Sequence, residues 1–301
     1  MKKIVVILGP TAAGKTGMSL TLAKKFNGYI ISADSRQVYR GMDIGTGKLT
    51  KDKWQGINHR MIDIMDPDQE FSLAQFQKTV FAIINEEKEK LPFLVGGTGL
   101  YIQSIVDNLD IPKGGMDKNL RKELDEKTAE ELFKILIQLD YKSAQEIDIN
   151  NKRRLIRAIE VFKISGEKYS EQKGKNSPLV QTLQIGIKLS REEMYDRIDR
   201  RVDEMIKEGL VDEVKALGDK YGWDIPAMSA IGYKQLSAYF RNEISQAEAI
   251  AQIKNDSHHY AKRQMTWFKR DSRIKWVTSV AEAEELVNNF LTNKFSFHGI
   301  I

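Results

Sequence analysis

The sequence predicts an α/β fold, a parallel sheet core flanked by helices, with a small all-helical domain inserted into it. Three observations predict it. Short, continuous, β-rich apolar runs alternate with helical patterns through the first third of the chain, the pattern of strands buried on both faces. A glycine-rich loop joins the first of these runs to the first helix. Two breaker-rich stretches bracket a charged helical block in the middle.

The elements follow in order. Residues 3–8 form a continuous apolar run. Two lysines precede it, as in a signal peptide, but the run is short and leads into a glycine loop without a small-residue cleavage site. A buried first strand explains it better. Residues 16–26 have helical periodicity, residues 29–33 form a second strand, 72–90 a long helix and 91–95 a third strand. Ile111-Pro112-Lys113-Gly114-Gly115 breaks this alternation. Residues 117–164 are helical and charged, ending in Ser165-Gly166 before a polar loop that runs through Gly174 to Pro178. Residues 182–189 read as a strand again, and Ser190 caps a helix with Glu192 and Glu193 in its first turn. From Arg191 onward the pattern is mostly helical. The expected domains are therefore 1–111 with 180–301 as the core, and 112–179 as the helical insertion.

Composition narrows the function. A hydrophobic fraction of 41% over 301 residues suffices for a sizeable core. There are no cysteines, so disulfides and thiolate metal sites are excluded. No apolar stretch is long enough to cross a bilayer. A cytoplasmic protein without a membrane partner is expected. The net charge of +5 is compatible with a nucleic-acid partner but does not demand one.

The strongest motif is Gly9-Pro10-Thr11-Ala12-Ala13-Gly14-Lys15-Thr16. It matches G-x-x-x-x-G-K-[ST] between a strand and a helix. Its glycines let backbone N–H groups turn inward on an anion, and the helix N-terminus adds a favourable dipole. Lys15 supplies a point charge and Thr16 a hydroxyl suited to Mg²⁺. The core is thus P-loop NTPase-like, with ATP as the default ligand. The motif names a ligand group and leaves the reaction open. Asp34, at the end of the second strand, suits either a metal-anchoring acid or a base facing a second substrate; a helix cap is the plainer alternative.

Further blocks narrow the choice. Asp34-Ser35-Arg36-Gln37-Val38-Tyr39-Arg40-Gly41-Met42-Asp43-Ile44-Gly45-Thr46 follows the loop. His59-Arg60, Asp63, Gly96-Gly97-Thr98-Gly99, Arg153-Arg154-Leu155-Ile156-Arg157, Gly232-Tyr233-Lys234-Gln235 and Ala261-Lys262-Arg263-Gln264-Met265-Thr266-Trp267-Phe268 come in turn. In this order, across nearly the whole chain, they resemble the bacterial tRNA dimethylallyltransferase (tRNA isopentenyltransferase) family. Two positions depart from it: Gly47 stands where the family usually has Ala, and His258 where it often has Arg.

The resemblance implies transfer of a dimethylallyl group from dimethylallyl diphosphate to N6 of adenosine 37 in the tRNA anticodon loop, with diphosphate released. Asp34 matches the family's base, Lys15 and Arg201 its diphosphate contacts, and Thr98 a position at the reaction centre. Arg201 borders an apolar stripe of Met194, Ile198, Val202 and Met205, with Arg197 on its own face. The tRNA anticodon stem-loop is expected to meet Asp34, Ser35, Arg36, Gln37 and Thr98 near the target base. Arg121, Arg153, Arg154 and Arg157 of the insertion, Lys234, and the basic, aromatic-interleaved segment with Lys262, Arg263, Gln264 and Lys269 are expected to meet it elsewhere. Solvated helix faces would look the same in sequence. A monomer is expected. The rivals are a P-loop nucleoside or metabolite kinase, a prenyltransferase acting on free AMP or ADP, and a nonenzymatic RNA-binding ATPase.

Overall fold

The computed structural model describes residues 1–112, 115, 117–172 and 174–292. They form two compact units: Met1–Val106 with the described residues from Leu179 onward, and Asp107–Pro178.

The first unit opens with β1 (Lys2–Leu8), α1 (Lys15–Lys25), β2 (Gly28–Ser32), β3 (His59–Arg60), α2 (Leu73–Glu86), β4 (Leu91–Gly96) and α3 (Gly99–Val106). The apolar run of β1 is fully buried from Ile4 to Leu8, and its alternation feeds two cores. Ile4, Val6 and Leu8 pack with Phe76, Val80 and Ile105 on one face. Val5 and Ile7 pack with Leu20 and Leu22 on the other. The helix expected over 72–90 stops at Glu86. Its start is fixed by a reciprocal cap between Ser72 and Gln75.

The second unit contains β5 (Leu109–Asp110), α4 (Lys118–Asp125), α5 (Ala129–Leu139), α6 (Tyr141–Glu146), α7 (Lys152–Ser165) and β6 (Gly174–Lys175). Its core is Leu124, Leu132, Leu136, Leu155 and Ile159. The helices agree with the sequence pattern. The antiparallel ribbon of β5 and β6 is additional, and two-residue strands leave no period to read. Within this unit Glu160 is fully buried. Arg121 Nε and Nη2 donate to its two oxygens at 2.8 and 2.9 Å, and Arg157 Nη1 donates at 2.8 Å. Burial opposes ionisation of this carboxyl, but the two arginines outweigh it and hold it below its ordinary range. Part of the breaker cluster, Lys113 and Gly114, lies outside the described residues.

The first unit resumes with β7 (Val180–Ile187), α8 (Arg191–Lys207), α9 (Leu210–Tyr221), α10 (Tyr233–Phe240), α11 (Gln246–Phe268), β8 (Lys275–Val277) and α12 (Val280–Leu291). Ser190 caps α8 as its sequence predicts, with its hydroxyl accepting from the Glu193 N–H at 3.1 Å. The sheet order is β3-β2-β4-β1-β7-β8, and every pair is parallel. The loops leaving β1, β2 and β4 therefore emerge at one edge, where open α/β sheets hold ligands.

β2 and β4 approach closely at Gly28: a Cβ there would lie 2.4 Å from the Phe93 ring and 2.7 Å from the Leu91 carbonyl oxygen. Gly28→Ala is expected to destabilise the protein by about 1–3 kcal/mol through overpacking. Urea denaturation measures this, and an unchanged midpoint would contradict it.

Candidate active site

The chain turns from β1 into α1 through residues 9–16. Gly14, at φ +91, takes the left-handed conformation just before the helix, which glycine adopts without steric cost. Lys15 Nζ donates to the carbonyls of Gly9 at 3.0 Å and Pro10 at 2.6 Å. Burial, and next the Arg201 charge, pull the Lys15 pKa down to about 8, against a smaller opposing pull from Asp34.

Gln264 of α11 fixes this loop from behind. Its Oε1 accepts from the Thr11 N–H and its Nε2 donates to the Gly97 carbonyl, both at 2.9 Å. The side chain is buried, and a Cβ at Gly97 would sit 2.3 Å from Nε2. Both ends of its amide, expected at tRNA, are thus engaged inside the protein, and the residue also lines the cavity of the site. Its helix is basic and polar on the outside, so an inward Gln has no distinguishing sequence signal.

Asp34 follows β2. Its Oδ1 accepts from the N–H groups of Arg36 at 2.8 Å and Gln37 at 3.4 Å, and its Oδ2 carries neither bond. Ser35 N–H donates to Thr98 Oγ1 at 3.1 Å, and the Tyr260 hydroxyl bonds the same threonine side chain. Burial, and secondarily the Asp34 charge, push the Tyr260 pKa up to about 12, so Tyr260 stays protonated near neutrality. The turns after β2 and β4 are thereby tied together.

Residues 11–16, Asp34, Gln37 and Tyr260 line one cavity of about 490 Å³. Arg197, Arg200 and Arg201 of α8 form its other wall. Arg201 makes no ion pair or hydrogen bond among the described residues, while burial lowers its pKa and Asp34 opposes that shift. Lys15, three arginines and the helix N-terminus thus face one space, an arrangement that favours a polyanion. The Thr16 hydroxyl is exposed at its edge without a hydrogen-bond partner among the described residues. Thr16 fits Mg²⁺, which uses one or two protein oxygens and completes its shell with water and phosphate. Arg200 and Tyr260 went unassigned at the site in the sequence. Arg200 adjoins Arg201, and a wider reading of that basic run would have included it.

The remaining expected contacts divide. Lys262 and Arg263 are exposed on α11 and, with Trp267 and Arg270, line a second cavity of about 420 Å³. Trp267 is 40% exposed and so is not core. Lys269, Lys234, Arg153 and Arg154 are exposed. The Gln37 side chain accepts from Ser32 Oγ and donates to the Thr46 carbonyl, and it lines the cavity. Arg36 reaches the Pro226 carbonyl and Ser229 Oγ, both at 3.2 Å. Arg121 and Arg157, also expected at tRNA, anchor Glu160. His258 stacks on Tyr195 at 4.2 Å and places Nε2 2.8 Å from Asp199 Oδ1, joining α11 to α8.

Comparison with known proteins bears on this geometry. A family model described as IPP transferase matches residues 37–271. A tRNA dimethylallyltransferase of Bacillus mycoides is 45% identical, over 95% of this chain and 93% of that protein. The structure of the full-length tRNA isopentenylpyrophosphate transferase of Bacillus halodurans matches with a TM-score of 0.73 at 40% identity, covering 98% of this chain and 97% of that one. A eukaryotic dimethylallyltransferase, solved in snapshots of its action on tRNA, matches with a TM-score of 0.83 at 26% identity, covering 97% and 80% of the two chains.

Gln264→Leu would strand the Thr11 N–H and the Gly97 carbonyl, at about 1–3 kcal/mol for each buried group left unpaired. A lowered melting temperature with weaker binding of inorganic diphosphate is expected, and calorimetry reads both. Lys15 is cationic below its pKa of about 8 and loses its proton above it. The ratio of wild-type to Lys15→Met affinity for inorganic diphosphate, which cancels the ligand's own ionisation, should be largest below pH 8. It should shrink as pH rises through that value, and a ratio flat from pH 7 to 9.5 would contradict the assignment.

Proposed function

The chain belongs to the IPP transferase family, and we propose that it transfers a dimethylallyl group from dimethylallyl diphosphate to N6 of adenosine 37 in the tRNA anticodon loop. That it is a tRNA-prenylating transferase follows from its family; the donor, the target atom and the residue roles are our reading. The observation that carries it is one cavity in which Lys15, Arg201 and the phosphate loop face the Asp34 carboxylate.

The diphosphate of the donor lies on residues 9–16, with Lys15 and Arg201 as its cationic partners. The adenine N6 attacks C1 of the dimethylallyl group. A C–N bond forms, the C1–O bond breaks, and the departing diphosphate keeps the electron pair. N6 then carries one proton too many, and Asp34 Oδ2 takes it. The two backbone bonds on Oδ1 leave that oxygen's partner free to do so. Cations fixed in a half-buried site stabilise the leaving group without reorganising as its charge develops. Thr16 would hold Mg²⁺, which when bound supplies further charge neutralisation to the diphosphate.

Thr98 and Tyr260 hold the Asp34 turn against the Gly97 turn and set the distance between acceptor and donor subsites. The exposed basic and aromatic face of α11 suits a splayed RNA loop. No helix among the described residues is long and apolar enough to cross a membrane. A monomer acting on cytoplasmic tRNA belongs to the same proposal. A kinase or a free-adenylate prenyltransferase accounts for the phosphate loop but gives the α11 face no role.

Asp34→Asn keeps an acceptor for the two backbone N–H groups and removes the base. Single-turnover prenyl transfer to an unmodified anticodon stem-loop should fall about 10²–10⁴-fold, while stem-loop affinity stays within about threefold. Mass spectrometry of the stem-loop and fluorescence anisotropy read the two, and parallel losses in both would reject the base.

A further inference from the structure

Arg201 faces the cavity without a carboxylate to hold it, so something else must fix its guanidinium. Gly47, at the end of the segment Asp43-Ile44-Gly45-Thr46-Gly47, lies against it. Gly47, at φ +58, approaches so closely that a Cβ there would sit 1.7 Å from Arg201 Nη2 and 2.8 Å from Cζ. The end of the Arg201 side chain therefore lies directly against the backbone at Gly47. The backbone at Gly47 is its wall.

The wall has one anchor. Glu213, on α9, accepts three successive backbone N–H groups: Asp43 at 2.9 Å and Ile44 at 2.7 Å on Oε2, and Gly45 at 3.1 Å on Oε1. The Tyr233 hydroxyl donates to Oε1 at 2.5 Å. Tyr233 is fully buried, and burial, then the Glu213 charge, raise its pKa far above the ordinary range, so it remains a donor. A Cβ at Gly45 would lie 2.5 Å from the Tyr233 ring, so this segment seats on the ring only as glycine. Four donors meeting one carboxylate leave no place for an amide NH₂, because a glutamine would turn donor against donor. Charge-assisted bonds of this kind are stronger than neutral ones.

We propose that Glu213 is a positioning residue for the diphosphate subsite: it holds residues 43–47 as the wall that seats the Arg201 guanidinium toward the phosphate loop. The inference rests on the function proposed above. It differs from an ordinary fold-stabilising role because Glu213 acts through Arg201, about whose function it makes a separable claim.

A double-mutant cycle tests it, with calorimetric binding of inorganic diphosphate, KM for dimethylallyl diphosphate, KM for the stem-loop, and melting temperature. Glu213→Gln should weaken diphosphate binding and raise the donor KM by about tenfold, leaving the stem-loop KM within about twofold. In an Arg201→Met background the same substitution should add less than about twofold. Multiplicative losses, or a stem-loop KM that rises in step with the donor KM, overturn the proposal. Tyr233→Phe keeps the ring and removes one of the four bonds to Glu213, so it should produce a smaller donor defect with the same non-additivity toward Arg201→Met. It keeps the test available if Glu213→Gln fails to fold, and wild-type diphosphate affinity in Tyr233→Phe also overturns the proposal. A wild-type protein that neither binds diphosphate nor transfers the prenyl group sinks the parent reading as well. A competent wild type with an additive cycle sinks the positioning role alone.

Discussion

Lys15, Arg197, Arg200 and Arg201 converge on one cavity at the edge where β1, β2 and β4 end, and the surrounding structure must hold them there without neutralising them. Like charges in a half-buried space repel, and burial penalises each one. Both effects are visible at Lys15, whose pKa falls first through burial and then through Arg201. Ion-pairing each cation would relieve the repulsion and also abolish an anion site. The protein instead restrains them by other means. Lys15 rests on loop carbonyls, Arg201 rests on the backbone at Gly47, and among the described residues only Arg197 of these four has a close carboxylate partner, the exposed Glu193 at 2.7 Å.

Several carboxylates are used away from the cations of the site. Glu213 collects backbone N–H groups behind the cavity wall. Asp43 and Asp63 hold Lys48, whose side chain is only 4% exposed. Glu160 gathers two arginines within the other unit. Asp34 and Glu204 both line the cavity with the cations, and Asp34 is the one that follows a strand and sits beside Thr98. Its position comes from β2, its orientation from two backbone bonds, and its neighbour Thr98 from β4.

Sequence made the local parts of this legible and left the long-range parts hidden. Residues 9–16 carry their own geometry, because strand, glycine turn and helix start are contiguous, and Ser190 announces its helix in the same way. The apolar runs of β1, β2 and β4 are buried on both faces and so read as continuous. β3 and β8 are two and three residues long at the sheet edges, too short for any period. Glu213 was invisible because its partners lie about 170 positions away, and an acid in the first turn of a helix has an ordinary explanation in the dipole. Gln264, Arg121 and Arg157 have intramolecular partners that their sequence does not announce. Polar and basic residues on a charged helix read alike whether they face solvent or a buried partner, and only the fold separates them.

The helix α11 shows why that ambiguity falls so heavily at this site. Its 23 residues serve two surfaces at once. Tyr260, Gln264 and Phe268, spaced by four, point inward: to Thr98, to the phosphate loop and to the sheet core. His259, Arg263 and Trp267 follow the same spacing on the exposed face, and Arg270 joins them just past the helix end. A Cβ at Gly99 would lie 2.4 Å from the Trp267 ring, so the outer face also touches the turn that carries Thr98. One rigid rod therefore sets the phosphate loop, the Thr98 turn and the basic surface relative to one another. A shift of this helix would move all three together, so the spacing between the basic surface and the Asp34–Lys15 cavity is built into a single element.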